Sequence, residues 1–175
     1  NVVRAGAGGG GDVRLVSAGV LRLGGPKTAL CERLLTLARE FAALVGALQP
    51  HEVALEEAFY GKSVQAALRI GEARGVVLAE SARAGLTVHQ FAPARVKRAV
   101  TGHGAARKQS VASMLGQLVP GGHAALVGGL PTDATDAVAV AWARLEARRS
   151  PLVSLARPRG EQRPGAHPAP RPAPP

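Results

Sequence analysis

The chain has 175 residues, with 22 Lys and Arg against 12 Asp and Glu for a formal net charge of +10, and 46% of it is apolar. That apolar share excludes wholesale disorder, and no run of about 18 apolar residues offers a membrane span. Cys31 stands alone, which excludes a disulfide framework and a cysteine-based zinc site and reads as a buried thiol in a reducing cytoplasm.

Asn1 to Gly11 is glycine-rich and lacks the apolar core of a signal peptide. Asn-Val-Val-Arg reads as the end of a strand, and AGAGGGGD as a flexible turn. Val13–Leu23 is rich in β-formers and predicts the second arm of a hairpin, closed by Gly24-Gly25-Pro26. From Lys27 to Gln49 the apolar residues Leu30, Leu34, Leu37, Phe41, Leu44, Val45 and Leu48 fall at steps of three and four, which predicts a long amphipathic helix ended by Pro50. Val53-Ala54-Leu55 is a short continuous apolar run that fits a buried parallel strand. Lys62–Ala84 predicts a second long helix, weakened by Gly71 and Gly75, and Leu86–Phe91 another strand. Arg95–Thr101 and Ala106–Leu118 read as shorter helices on either side of Gly102-His103-Gly104. Thr132–Arg148 reads as the last helix, with Thr132 as its N-cap. Residues 150–175 close on a Pro- and Arg-rich stretch that proline keeps out of helix and sheet, so they read as a disordered basic tail behind a domain of residues 1–149. A leading hairpin followed by alternating strands and helices makes the class α/β.

The carboxylates are few enough for their positions to matter. Glu56 and Glu57 end the apolar strand. Neighbouring strand residues face opposite ways, so the two cannot share one site. A carboxylate at the C-terminal end of a central strand stands where open α/β sheets place their sites. Asp133 and Asp136 are three apart in the first turn of the last helix and face the same way, on the stripe that continues as Ala137, Val140 and Ala141. Acids at a helix start also offset the macrodipole, and that plainer role stays open. Carboxylates converging on a basic protein suggest Mg²⁺, which takes hard oxygen ligands, keeps waters and bridges to phosphate oxygens. Two such ions would activate water and stabilise the leaving oxygen of a phosphodiester.

Arg95, Lys97, Arg98, Arg107 and Lys108 lie on the two short helices around the GHG turn, and two of the chain's four lysines fall there. They form either a phosphate-binding patch or ordinary solvated helix faces. Phe59 and Tyr60 follow the acidic strand end, placed either to stack on an unpaired base or to staple a loop to the core. Phe41 and Trp142 sit on helix faces and read as core. There is no phosphate-binding GxxxxGK[ST], and the histidines show no metal-ligand spacing.

VALEEAF (53–59), ALRIGEARGVV (67–77), ARVKRAVTGHGAARKQSV (94–111) and PTDATDAVAVA (131–141), in that order and at that spacing, resemble the RuvC family of bacterial Holliday junction resolvases. VVRAG and VSAGVLRLGG resemble its second and third strands, so the likeness covers about residues 1–147. The resemblance implies an RNase H-like mixed sheet flanked by helices, a homodimer, and Mg²⁺-dependent paired nicking of four-way junction DNA in recombination and repair. It also implies two ions per subunit and work alongside the RuvA–RuvB branch-migration complex in the cytoplasm, with no membrane. By position it makes Glu56, Asp133 and Asp136 the catalytic metal ligands, and Phe59, Lys97 and Lys108 the DNA contacts. One departure is that the family opens on a central strand ending in Asp-Pro-Gly, whose Asp completes the metal site, and no such turn occurs in these residues. The expectation is therefore an N-terminally incomplete resolvase, inactive and poorly folded unless that strand is restored. A different gene start or a degenerate copy are the alternatives. The rival functions are a module that holds branched DNA without cutting it, and an unrelated basic α/β protein whose acids are helix caps.

Overall fold

The computed structural model describes residues 2–5, 13–57, 63–119 and 131–149. The elements are β1 (Val2–Ala5), β2 (Val13–Ser17), α1 (Leu30–Leu48), β3 (Glu52–Glu56), α2 (Val64–Arg83), β4 (Thr87–Phe91), α3 (Pro93–Thr101), α4 (Lys108–Leu118) and α5 (Thr132–Arg149). β1 and β2 form the expected antiparallel hairpin, with Val3 opposite Leu15. β3 and β4 run parallel, joined by the α2 crossover, with Ala54 opposite His89 and Glu56 opposite Phe91. Among the described residues these two pairs are separate ladders. α5 packs against β1, β3 and β4.

The hairpin arm is shorter than its composition predicts. β2 ends at Ser17, and Val20 and Leu21 beyond it remain 48% and 37% exposed. β-propensity acts through packing against neighbours, and no described neighbour covers them. Thr132 is the first helical residue of α5 rather than its cap. The Pro131 carbonyl accepts from the amides of Ala134 and Thr135 instead.

The core lies between the sheets and α3, α4 and α5. Leu115, Val119 and Val138 are essentially inaccessible, packed with Val13, Phe91, Val96, Val100, Val111 and Trp142. α1 and α2 pack on each other and are far less covered: Leu37 is the buried side chain of α1 and Ser81 that of α2. Ser63 caps α2, its hydroxyl accepting from the Ala66 amide at 3.3 Å. Gly85, at φ +70°, turns the chain from α2 into β4, a conformation that side chains with a Cβ resist.

Candidate functional site

β3 delivers Glu56 to the C-terminal edge of the parallel pair. Its exit is fixed twice. The Glu57 amide donates to the Phe91 carbonyl at 2.9 Å, and the Arg74 guanidinium of α2 donates both to the Glu56 carbonyl and to the side-chain oxygen of Gln90 on β4. α5 brings Asp133 and Asp136 to the same edge, and α4 starts there with Lys108.

Lys108 links the acids. Its ammonium donates to Asp136 Oδ2 at 2.7 Å. That bond, with the charges of Asp136, Asp133 and Glu56, holds the lysine above its ordinary value. Burial pushes the Glu56 carboxyl up, the charge of Asp136 adds to the rise, and Lys108 and Lys97 only partly offset it. Asp136 is thus bonded to Lys108, and the charges of Asp133 and Glu56 reach the same ammonium. Glu57, one residue past the strand, is exposed.

Asp133 is exposed and Asp136 half-buried, so the acids stand at the margin of the buried face of α5, with Asp136 one turn before buried Val140. That face is Ala134, Thr135, Val138, Ala139, Val140, Trp142 and Ala143. Among the described residues no three His, Cys, Asp or Glu side chains stand close enough together to make a metal cage. The donor chemistry nonetheless fits a hard cation. Mg²⁺ needs only one or two carboxylates when waters and substrate phosphates complete its shell. A cation, the Lys108 ammonium, already stands on Asp136, beside a Glu56 whose charge is disfavoured by burial and by an acidic neighbour.

The basic residues divide. Lys97, half-buried on α3, is near enough to draw the Glu56 carboxyl down, and Lys108 borders the acids. Arg98 and Arg107 are exposed, and the Arg95 guanidinium lies over the Phe91 ring, 5.2 Å from its centre. Gly104 packs tightly: a Cβ there would stand 3.1 Å from the Ala94 carbonyl oxygen, so the turn between α3 and α4 closes on the first turn of α3. Phe59, Tyr60, His123 and residues 150–175 lie outside the described residues. Cys31 is exposed rather than buried, because it falls off the Leu37 face of α1.

Two features escaped the motif reading. Arg74 anchors the end of β3. Glu52, at the other end of that strand, accepts from Arg144 at 2.8 Å and Arg148 at 3.4 Å, with His89 Nε2 at 3.2 Å. Their partners are distant in sequence, 18 and 16 residues for Arg74 and 92 and 96 for Glu52, so no local spacing marks them.

A family model described as "Crossover junction endodeoxyribonuclease RuvC" matches residues 1–144. The chain is 40% identical over 128 residues to a protein of that name from Chlorobium phaeovibrioides, covering 73% of this chain and 65% of the relative, just under two thirds of its length. It is 39% identical over 142 residues to one from Beijerinckia indica, covering 81% of this chain and 78% of the relative. The Thermus thermophilus RuvC structure superposes with a TM-score of 0.69 at 28% identity over 84% of this chain and 86% of that one. A second Thermus thermophilus structure, in complex with Holliday junction substrate, superposes with a TM-score of 0.67 at 24% identity over 84% of this chain and 85% of that one.

Proposed function

The chain belongs to the RuvC family of crossover junction endodeoxyribonucleases, and from that premise we propose that it resolves four-way DNA junctions by paired, Mg²⁺-dependent nicking. The observation that carries the proposal is Lys108 bonded to Asp136 within reach of the charges of Glu56 and Asp133, at the C-terminal edge of a parallel strand pair, on a chain of net charge +10.

In this reading Glu56, Asp133 and Asp136 hold the metal, two ions per subunit. When bound, it supplies a lowered pKa for the attacking water and charge stabilisation at the leaving oxygen. Glu56 suits the task because burial and Asp136 already work against its negative charge. A divalent cation relieves that repulsion. Lys108 keeps the acid cluster from repelling a phosphate by neutralising part of it, and with Lys97 it offers ammonium groups to the DNA backbone. Phosphate contacts of this kind fix the register of the nucleic acid without reading its sequence. Phe59, three residues past Glu56, stacks on a base left unpaired at the crossover. Arg74 holds the strand end so that the carboxylate does not drift.

The same reading makes the working unit a homodimer, since paired nicks on opposite strands need two sites. It places the protein beside the RuvA–RuvB branch-migration complex in the cytoplasm. Among the described residues no helix is long and apolar enough to cross a membrane. The test is a nicking assay on a synthetic four-way junction, with and without Mg²⁺, for the parent and for Glu56→Gln and Asp136→Asn. Metal-dependent paired nicks lost in both variants support the proposal. Binding without nicking at any Mg²⁺ concentration contradicts it.

A further inference from the structure

Strand β3 and helix α5 run in opposite directions and meet at two places. At one end Glu56 is within reach of the charges of Asp136 and Lys108, which are bonded to each other at 2.7 Å. At the other, Glu52 carries the ion-pair group described above: Arg144 Nη2 at 2.8 Å, His89 Nε2 at 3.2 Å and Arg148 Nη1 at 3.4 Å. The groups involved fall on two matching rows. Glu52, Ala54 and Glu56 alternate onto one face of the strand. Asp136, Val140, Arg144 and Arg148 follow one another at four-residue steps along one side of the helix. Val140 is buried, and Ala54 packs against the same core.

The spacing of the rows agrees. Four strand residues from Glu52 to Glu56 span about 13 Å at roughly 3.3 Å each. Eight helical residues from Asp136 to Arg144 span about 12 Å at 1.5 Å each. A salt bridge at one end of this frame therefore fixes how far along β3 the helix lies at the other. A slip of one helical residue would move Asp136 by about 1.5 Å relative to Glu56.

We propose that Glu52, clamped by Arg144 and Arg148 of α5 and by His89 of β4, is a positioning residue that sets the register of α5 on β3 and so the separation of Glu56 from Asp133 and Asp136. The proposal rests on the reading of those three acids as metal ligands. This pin acts through the helix. The geometry suits such a role: the Glu52 and Arg144 side chains are only 22% and 20% exposed, so solvent screens the bridge weakly, and both carboxylate oxygens are engaged, which fixes Glu52 in one orientation. The Arg148 side chain, 58% exposed, adds charge more than rigidity.

The experiment is a Mn²⁺ titration of the full chain followed by electron paramagnetic resonance, on the parent, Glu52→Gln and Glu52→Leu, below the unfolding temperature of each. Junction DNA affinity without metal is measured in parallel. Outer partners that orient metal ligands change metal affinity by about 10- to 100-fold when removed, so Glu52→Leu is expected to weaken Mn²⁺ binding about 10-fold and leave metal-free junction affinity unchanged. Glu52→Gln, which keeps an acceptor for Arg144, should fall between the two, and it decides the matter alone if the leucine variant does not fold. Mn²⁺ binding equal to the parent's in a variant that is measurably less stable overturns the proposal, since the pin then only stabilises. Glu56→Gln is titrated beside them. Unchanged Mn²⁺ binding there overturns the ligand reading itself, independently of what Glu52 does.

Discussion

Replacing Glu52 by Gln removes one charge from a partly buried group of three basic side chains, Arg144, Arg148 and His89. Removing one partner of a fully buried pair costs about 3–5 kcal/mol, and an exposed pair is worth under about 1 kcal/mol. Glu52, 22% exposed and hydrogen-bonded to Arg144, lies between, close to the value of a hydrogen bond to a charged group, about 2 kcal/mol. In a protein of this size that lowers the unfolding midpoint by about 4–8 °C at neutral pH. The effect has a definite pH dependence. Burial alone would raise the Glu52 carboxyl, but the Arg144 bond and the charges of Arg144, His89 and Arg148 outweigh it and hold the group below its ordinary 4.5. A depressed carboxylate stabilises the fold above its unfolded pKa, and that contribution is lost as the pH falls through the folded value. The gap between parent and Glu52→Gln, followed by circular dichroism melts, should be full at pH 7 and close below about pH 4.5. A gap of the same size at pH 3 and pH 7, or none at pH 7, would refute the reasoning.

Glu56 carries the opposite sign. Its carboxyl is raised by burial and by Asp136, so ionising it costs stability as the pH rises above the ordinary 4.5. Glu56→Gln should therefore melt about 1–2 °C higher at pH 7, for a screened effect of about 0.5 kcal/mol, while losing junction nicking. A lower midpoint in the variant would contradict the assigned field. Lys97→Ala and Lys108→Ala should each weaken junction binding and flatten the dependence of log affinity on log salt by about 0.9, the share of one phosphate contact. An unchanged salt slope would mean that neither ammonium meets the backbone. Phe59→Ala should impair junction cleavage more than binding to plain duplex, and equal losses on both substrates would make Phe59 a packing residue.

Much of this arrangement was legible before the fold was known, because it rests on local patterns. The three- and four-residue apolar steps of Leu30–Leu48 became α1, and the unbroken Val53-Ala54-Leu55 run became one strand of a parallel pair. Strand alternation put Glu56 and Glu57 on opposite faces, and the choice of Glu56 came from the resemblance to the RuvC family. What sequence could not show was set by long-range partners. Val20 and Leu21 look like strand residues, yet nothing described pairs with them, so β2 stops at Ser17. Asp133 and Asp136 share a helix face, but only packing shows that the buried stripe passes beside them through Ala134, Val138 and Trp142. The Glu52 group joins residues 92 and 96 positions apart, and no local signal announces such a pair.

The central claim is that Glu56, and not Glu57, belongs to a metal site that cuts four-way junctions. Its most direct test is Mg²⁺-dependent nicking of a synthetic four-way junction by the parent, Glu56→Gln and Glu57→Gln. Paired nicks are expected from the parent and from Glu57→Gln, and none from Glu56→Gln. Nicking that survives Glu56→Gln, or a parent that binds the junction and leaves it uncut at any Mg²⁺ concentration, would contradict the claim.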